Sequence, residues 1–136
     1  SNFHLTYGDG LSNVNLERLT YQHHKSSKSL VTISAVKSSD RFGSLVIDKK
    51  DMVSKFVEKN NKNEKFINGG FQIVNKKALD SIKSSKCSWE FDILEKLSKK
   101  KQLGCFQHEG FWQCMDNLRE KKLLENLWLS KKAPWL

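Results

Sequence analysis

Short apolar runs of β type and longer helical stripes follow one another along the chain. Residues 30–36, "LVTISAV", are almost continuously apolar or β-branched, which is typical of a strand buried on both faces. Three further strands are predicted at "FHLT", at "FINGGFQIV" (66–74) and at "LGCFQH". The segments "RFGSLVID" and "MVSKFVEK" flank a polar turn at residues 49–51, so they predict a hairpin.

Helices are predicted between these strands. The main ones cover residues 15–24, 89–99 and 117–130, and a short one lies near residues 78–82. Strands that alternate with helices, with a hairpin in the middle, predict an α/β domain with a mixed sheet. A chain of 136 residues fits one such domain.

Side-chain patterns refine the two later helices. Ser88 is a predicted N-cap, and Asn117 with Glu120 three residues later resembles a capping box. The apolar stripes predict that Phe91 and Leu118 face inward, each with leucines of its own helix.

The net charge of +9 raises the question of a nucleic-acid partner. The positive residues are nearly all lysines, with arginine only at positions 18, 41 and 119. Readers of nucleic-acid sequence depend on arginine forks, so a solvated lysine-rich surface is favoured. A basic nucleic-acid-binding domain stays as a rival that salt-sensitive binding to DNA or RNA would reveal.

Two other features of the sequence bear on the cellular compartment and on insertion into a membrane. No apolar run approaches the roughly 18 residues of a membrane span, and no signal peptide is expected. The cysteines at positions 87, 105 and 114 form no C-x-x-C pair or zinc-finger spacing, which favours reduced thiols in a cytoplasmic protein.

Two motifs carry candidate acidic and basic groups. Asp9 stands between two glycines in "LTYGDG", where it is either a turn residue or a carboxylate that holds Mg²⁺ against phosphates. Glu58 and Lys59 close a predicted strand. Adjacent strand residues face opposite sides, so one of them could serve a site, although a solvated strand end explains both.

Two further motifs lie in the second half. The glycine pair in "INGGF" indicates either a bulge or the close approach of a ligand to Gly69. The neighbouring Asn68 offers a donor and an acceptor that suit sugar hydroxyls. Asp116 precedes the last helix, where an acid is favoured by the helix dipole or could be a ligand.

Taken in order, these motifs resemble one family. "LTYGDG", "RFGSL", "VEK", "INGGF", "WE" and "HEGFWQCMDNLREKKLLENLW", followed by "APW", are similar to the later part of the glucose-1-phosphate cytidylyltransferases of the sugar-phosphate nucleotidyltransferase family. The resemblance covers nearly the whole chain. It implies a mixed-sheet, Rossmann-like nucleotidyltransferase fold, of which residues 1–136 would form the C-terminal, sugar-phosphate-binding half.

The resemblance also implies residue roles. Asp9 and Asp116 match the family's two acidic metal ligands, and Lys59 matches the lysine that holds the sugar phosphate; these three are the implied catalytic residues. The implied substrate-binding residues are Gly43, Glu58, Lys59, Asn68 and Gly69. The chain departs from the family pattern at Asn60, Cys114 and Asn117.

The implied reaction joins CTP and glucose 1-phosphate into CDP-glucose with release of pyrophosphate, assisted by Mg²⁺, for surface polysaccharide synthesis. The chain lacks the family's glycine-rich phosphate loop, so we expect the isolated chain to be inactive and the base preference to rest on the resemblance alone. A related enzyme with another base, a non-catalytic sugar-phosphate-binding or assembly module, and a homo-oligomeric state all stay open. We expect neither a nucleic-acid nor a membrane partner.

Overall fold

The computed structural model describes residues 1–38, 44–57 and 65–136. Eight strands occur in these ranges: β1 (Asn2–Thr6), β2 (Gly10–Ser12), β3 (Val31–Ser38), β4 (Ser44–Ile47), β5 (Val53–Val57), β6 (Lys65–Asn75), β7 (Leu103–His108) and β8 (Trp112–Cys114). Three α-helices accompany them: α1 (Leu16–Lys25), α2 (Glu95–Lys99) and α3 (Leu118–Leu129). A 3₁₀ helix (Lys76–Ser81) follows β6, and a π-helical segment (Trp89–Leu94) leads into α2.

The main sheet has the strand order β5-β4-β6-β3-β7, and β1 pairs with the end of β6. Strand β3 runs parallel to β7 and antiparallel to β6, while the other pairs are antiparallel. The predicted α/β architecture with a mixed sheet is therefore confirmed. The predicted hairpin is also confirmed, because β4 and β5 pair on either side of the turn.

The core lies around the central strand β3. Every residue from position 31 to position 36 is buried, as the almost continuous run of apolar and β-branched residues predicted. Strand β3 is flanked by β6 and β7, so both of its edges are paired, and helices cover the sheet. Burial of each large aliphatic side chain here stabilises the fold by about 1.5–3 kcal/mol.

The two predicted caps form, but the inward faces differ in part from the prediction. Ser88 accepts a hydrogen bond from the Phe91 amide at 3.3 Å. The chain then enters the π-helical segment, whose wider turn changes which side chains face the sheet. Ile93 is fully buried and Phe91 is 71% exposed, so the inward position predicted for Phe91 is wrong. In α3, Leu124 is buried and Leu118 is 65% exposed.

One paired element was not predicted at all. Strands β2 and β8 have three residues each and form a separate two-stranded antiparallel sheet. Three residues are too few to show the alternation that identifies a strand. We call this pair the β2–β8 ribbon.

Within the described part of the chain, no helix has the length and the apolar character that a membrane crossing requires.

Buried His23 makes the stability of the fold depend on pH. It lies on α1 with its Nδ1 atom 2.9 Å from the Thr32 hydroxyl of β3. Burial, and secondarily the charge of His24, lowers the pKa of His23 below its ordinary value of 6.5. The unfolded chain therefore takes up a proton at a higher pH than the folded chain does.

We expect the free energy of unfolding to fall as the pH drops from about 7.5 to about 5.5, and this fall to be smaller in His23→Gln. Stability that depends on neutral His23 is present above pH 6.5 and is lost below it. Urea unfolding at several pH values measures the effect, with the exposed His4→Gln as control. An unchanged pH slope in His23→Gln would contradict this account.

Candidate functional site

The β2–β8 ribbon brings two predicted site residues to one place. Asp9 immediately precedes β2, and Asp116 follows β8 after one residue. The strands are antiparallel with Gly10 opposite Cys114, so both acids lie at the same end of the ribbon. The Met115 amide donates a hydrogen bond to the Asp9 carbonyl at 2.7 Å. Both aspartates are exposed, which leaves them accessible to a ligand.

The two glycines of the Gly8-Asp9-Gly10 turn differ in their surroundings. A Cβ atom on Gly10 would lie 3.6 Å from the Trp112 indole nitrogen, in ordinary contact, whereas one on Gly8 would meet nothing within 4 Å. Gly10 thus sits against the opposite strand of the ribbon. Asp9 comes three residues after the last residue of β1, beyond the carboxyl end of that strand.

Asp116 lies just before the N-cap of α3. Asn117 is the N-cap itself, and its Oδ1 atom accepts from the Glu120 amide at 3.0 Å. The Glu120 carboxylate reaches back to the Asp116 amide at 2.7 Å. This is a capping box displaced by one residue, since the returning acid bonds the residue before the cap.

A cluster of possible metal ligands forms around Asp116. Among the described residues, Cys114, Asp116 and Glu120 place ligand atoms within 4.8 Å of one another, and Asp9 is not a member of this group. Carboxylate oxygens suit Mg²⁺, whereas a buried thiol is a soft ligand that does not. Within this group, the carboxylates of Asp116 and Glu120 are therefore the ligands that suit Mg²⁺, and a share for Asp9 stays a prediction.

The glycine pair on β6 forms a bulge. Pairing with β3 shifts register between Ile33 and Ala35, and Gly70 has a φ of +80°. A Cβ on Gly69 would lie 2.8 Å from the Val36 side chain, so a larger residue there would force the strands apart. The Trp112 indole donates to the Gly69 carbonyl at 2.8 Å, which ties the bulge to the ribbon.

Asn68 uses its amide group within the protein. Its Nδ2 atom donates to the Tyr7 hydroxyl and to Glu90 Oε1, both at 3.1 Å, and its Oδ1 atom accepts from the Gly70 amide at 3.0 Å. The Tyr7 hydroxyl itself donates to Glu90 Oε1 at 2.9 Å. Burial, and secondarily the Glu90 charge, raises the pKa of Tyr7 well above its ordinary range, so the phenol stays protonated. Asn68 keeps an Oδ1 lone pair for an outside donor.

Three predicted residues lie outside the described part of the chain. These are Gly43, Glu58 and Lys59, which fall in the gaps between residues 38 and 44 and between residues 57 and 65. The convergence expected for Lys59 with the two aspartates therefore stays a prediction.

Sequence reasoning missed Tyr7, Glu90 and Trp112 as parts of this site. In the sequence, each of the three is only one letter of a longer motif. Trp112 holds a specific position in the site. It is only partly buried, and its indole nitrogen binds a backbone carbonyl across the site. A cavity of about 330 Å³ lies beside it, and it is lined by Val36, Lys37, His108, Glu109, Gly110 and Trp112.

Comparison with known proteins agrees with this architecture. The chain matches the nucleotidyl transferase family over residues 2–118, so it belongs to that family. It is 39% identical to the glucose-1-phosphate cytidylyltransferase of Salmonella typhimurium over 133 residues, which are 98% of this chain and 51% of that protein. The Salmonella typhi protein of the same name matches equally, at 39% identity.

Solved structures show the same fold. The crystal structure of HddC from Yersinia pseudotuberculosis superimposes with a TM-score of 0.74 at 26% identity, over 90% of this chain and 53% of that one. The same protein in complex with GMP-PN superimposes with a TM-score of 0.74 at 27% identity, over 93% of this chain and 56% of that one. The chain thus spans about half the length of the relatives it matches.

The expected assignment to the C-terminal half of such an enzyme is wrong. The comparisons assign the chain to the N-terminal half of these relatives. The expectation depended on the resemblance of the ordered motifs to the later part of the family, together with the absence of a glycine-rich phosphate loop from the 136 residues. An absent motif is a weaker guide to position than an alignment along nearly the whole chain. The nucleotidyltransferase fold itself, with its mixed sheet, stands as predicted.

The bulge yields a stability prediction. We expect Gly69→Ala to lower the free energy of unfolding by about 1–3 kcal/mol, because the added methyl overpacks against β3. Its neighbours there are the Val36 side chain at 2.8 Å and the Ser34 carbonyl at 3.3 Å. The matched control Gly8→Ala adds its methyl in open space and should change stability by less than about 0.5 kcal/mol. Equal effects in chemical denaturation would refute the overpacking.

Proposed function

We propose that this chain supplies the acidic metal ligands and the sugar-phosphate contacts of a glucose-1-phosphate cytidylyltransferase. The observation that carries the proposal is the meeting of Asp9 and Asp116 at one end of the β2–β8 ribbon, although they are far apart in sequence. A simple turn acid and a simple helix-start acid have no reason to meet. The 39% identity to the Salmonella typhimurium enzyme supports the substrate class.

The proposed reaction converts CTP and glucose 1-phosphate into CDP-glucose and pyrophosphate. An oxygen of the sugar phosphate attacks the α-phosphorus of CTP, and the bond to the pyrophosphate breaks on the opposite side. Both reactants are anions, so their approach is opposed by charge repulsion. The work of the protein is to hold them in line and to offset that charge.

Asp9 and Asp116 would hold Mg²⁺, with phosphate oxygens and water completing its ligands. The ion would supply positive charge beside the phosphates when bound. The exposure of both aspartates, next to a backbone fixed by the Met115–Asp9 hydrogen bond, fits this task.

The remaining roles concern the sugar phosphate. Lys59 is proposed to pair with its phosphate, and Glu58 and Gly43 to contact the sugar. Asn68 is proposed to accept a hydrogen bond from a sugar hydroxyl through Oδ1, since both Nδ2 hydrogens are used within the protein. Gly69 lets the strand lie close to its neighbours, and its carbonyl is fixed by Trp112.

A chimaera tests the function directly. This chain would replace the matching residues of the Salmonella typhimurium relative, with which it aligns over 133 residues. We expect the folded chimaera to release pyrophosphate from CTP and glucose 1-phosphate and to form CDP-glucose. The 136-residue chain alone should form none, because it spans about half of that enzyme.

Within the chimaera, Asp9→Asn and Asp116→Asn should each lower turnover by about two orders of magnitude or more, since each removes a charge from the proposed metal site. Asp80→Asn, an exposed acid on the 3₁₀ helix, is the matched control and should leave turnover unchanged. A folded but inactive chimaera would argue against the substrate assignment. Near-normal rates in either aspartate variant would return that residue to a turn or capping role.

A further inference from the structure

Glu90 occupies a position where three chain segments of the candidate site meet. It lies on the π-helical segment that starts at Trp89, and the Trp89 indole donates to the Gln72 side chain of β6 at 2.9 Å. This hydrogen bond fixes the start of the helix against the sheet. Glu90 is thereby directed toward the end of β1 and the bulge of β6.

One carboxylate oxygen of Glu90 links two of these segments. Oε1 accepts from the Tyr7 hydroxyl at 2.9 Å and from Asn68 Nδ2 at 3.1 Å. Asn68 Nδ2 also donates to the Tyr7 hydroxyl at 3.1 Å, so the three side chains form a closed triangle. Hydrogen bonds to a charged acceptor are stronger than neutral ones, and Glu90 is the only charged member of the triangle.

The side chains of the triangle are connected to the backbone of β6 and to the backbone that follows β1. Asn68 Oδ1 holds the Gly70 amide at 3.0 Å, and the Gly70 carbonyl holds the Tyr7 amide at 3.0 Å. A Cβ on Gly70 would lie 3.0 Å from the Tyr7 ring, so the ring rests on the bulge. Tyr7 is two residues before Asp9, whose carbonyl bonds the Met115 amide.

We propose that Glu90 is a positioning residue that, through Tyr7 and Asn68, sets the place of the Asp9 turn relative to the bulge and the ribbon. An effect of Glu90 on catalysis rests on the proposed function. The positioning of the Asp9 turn by Glu90 rests only on the hydrogen bonds described above. Glu90 is not a metal ligand in this scheme. It fixes the backbone from which Asp9 projects.

Amide hydrogen exchange in the purified chain tests the proposal without substrate or metal. Glu90→Met keeps the length of the side chain and removes the acceptor, whereas Glu90→Gln keeps an acceptor oxygen. In Glu90→Met we expect exchange at the Gly70 and Met115 amides to rise about tenfold. In Glu90→Gln both rates should stay within about threefold of the original protein.

Two controls make the result specific. The first control is Glu95→Met. Glu95 lies on the next helix, where it forms an exposed ion pair with Lys99 at 2.7 Å, so this variant should not change the exchange rate of either amide. The Cys105 amide, bonded to the Asp51 carbonyl at 2.8 Å, reports on general stability and should not change in any variant.

An unchanged Met115 rate in Glu90→Met would overturn the proposal, and so would an equal rise at Cys105, which would mark a general loss of stability. Glu90→Gln behaving like Glu90→Met would also overturn it, because an acceptor would then not suffice to hold the triangle. In an active chimaera, kcat should fall in Glu90→Met and recover in Glu90→Gln. Exchange rates are measured without enzyme activity, so the positioning role of Glu90 and the proposed reaction are tested independently.

Discussion

The pairing of β2 with β8 is the constraint on which the candidate site depends. It places the Met115 amide 2.7 Å from the Asp9 carbonyl and so joins a turn near the start of the chain to the segment before α3. The same pairing sets Trp112 against Gly10 and lets its indole reach the Gly69 carbonyl. A ribbon of three residues per strand is marginal by itself, and the Trp112–Gly69 hydrogen bond ties it to the bulge of the main sheet.

The triangle of Tyr7, Asn68 and Glu90 provides hydrogen-bond partners for partly buried polar side chains. Partial burial of polar side chains costs free energy unless they bond one another, and here each member finds two partners in the triangle. Burial raises the pKa of Tyr7, which keeps the phenol a donor toward Glu90. The left-handed Gly70 and the crowded Gly69 then follow from geometry, because no larger side chain fits beneath Tyr7 or beside β3.

Most of the main sheet could be predicted from the sequence, since long strands such as β3 show their burial in an almost continuous run of apolar and β-branched residues. Asn117 likewise marks a helix start by its side-chain chemistry. The β2–β8 ribbon could not be predicted, because strands this short carry no periodicity. The π-helical segment also escaped prediction, and with it the outward position of Phe91, because the apolar pattern was interpreted with the spacing of an ordinary α-helix. Asp9 and Asp116 were identified as a pair through the family resemblance, whereas Glu90 needed the structure, since only its contacts distinguish it from any other acid near a helix start.

Paramagnetic broadening by Mn²⁺ can show whether Asp9 and Asp116 bind one divalent ion, as proposed. In a titration followed by amide NMR, we expect the signals of Asp9, Gly10, Met115 and Asp116 to broaden together at the same Mn²⁺ concentration. Asp9→Asn and Asp116→Asn should each abolish the broadening of all four. Broadening confined to Asp116 and Glu120, and unaffected by Asp9→Asn, would show that the two aspartates do not share an ion and would contradict the account.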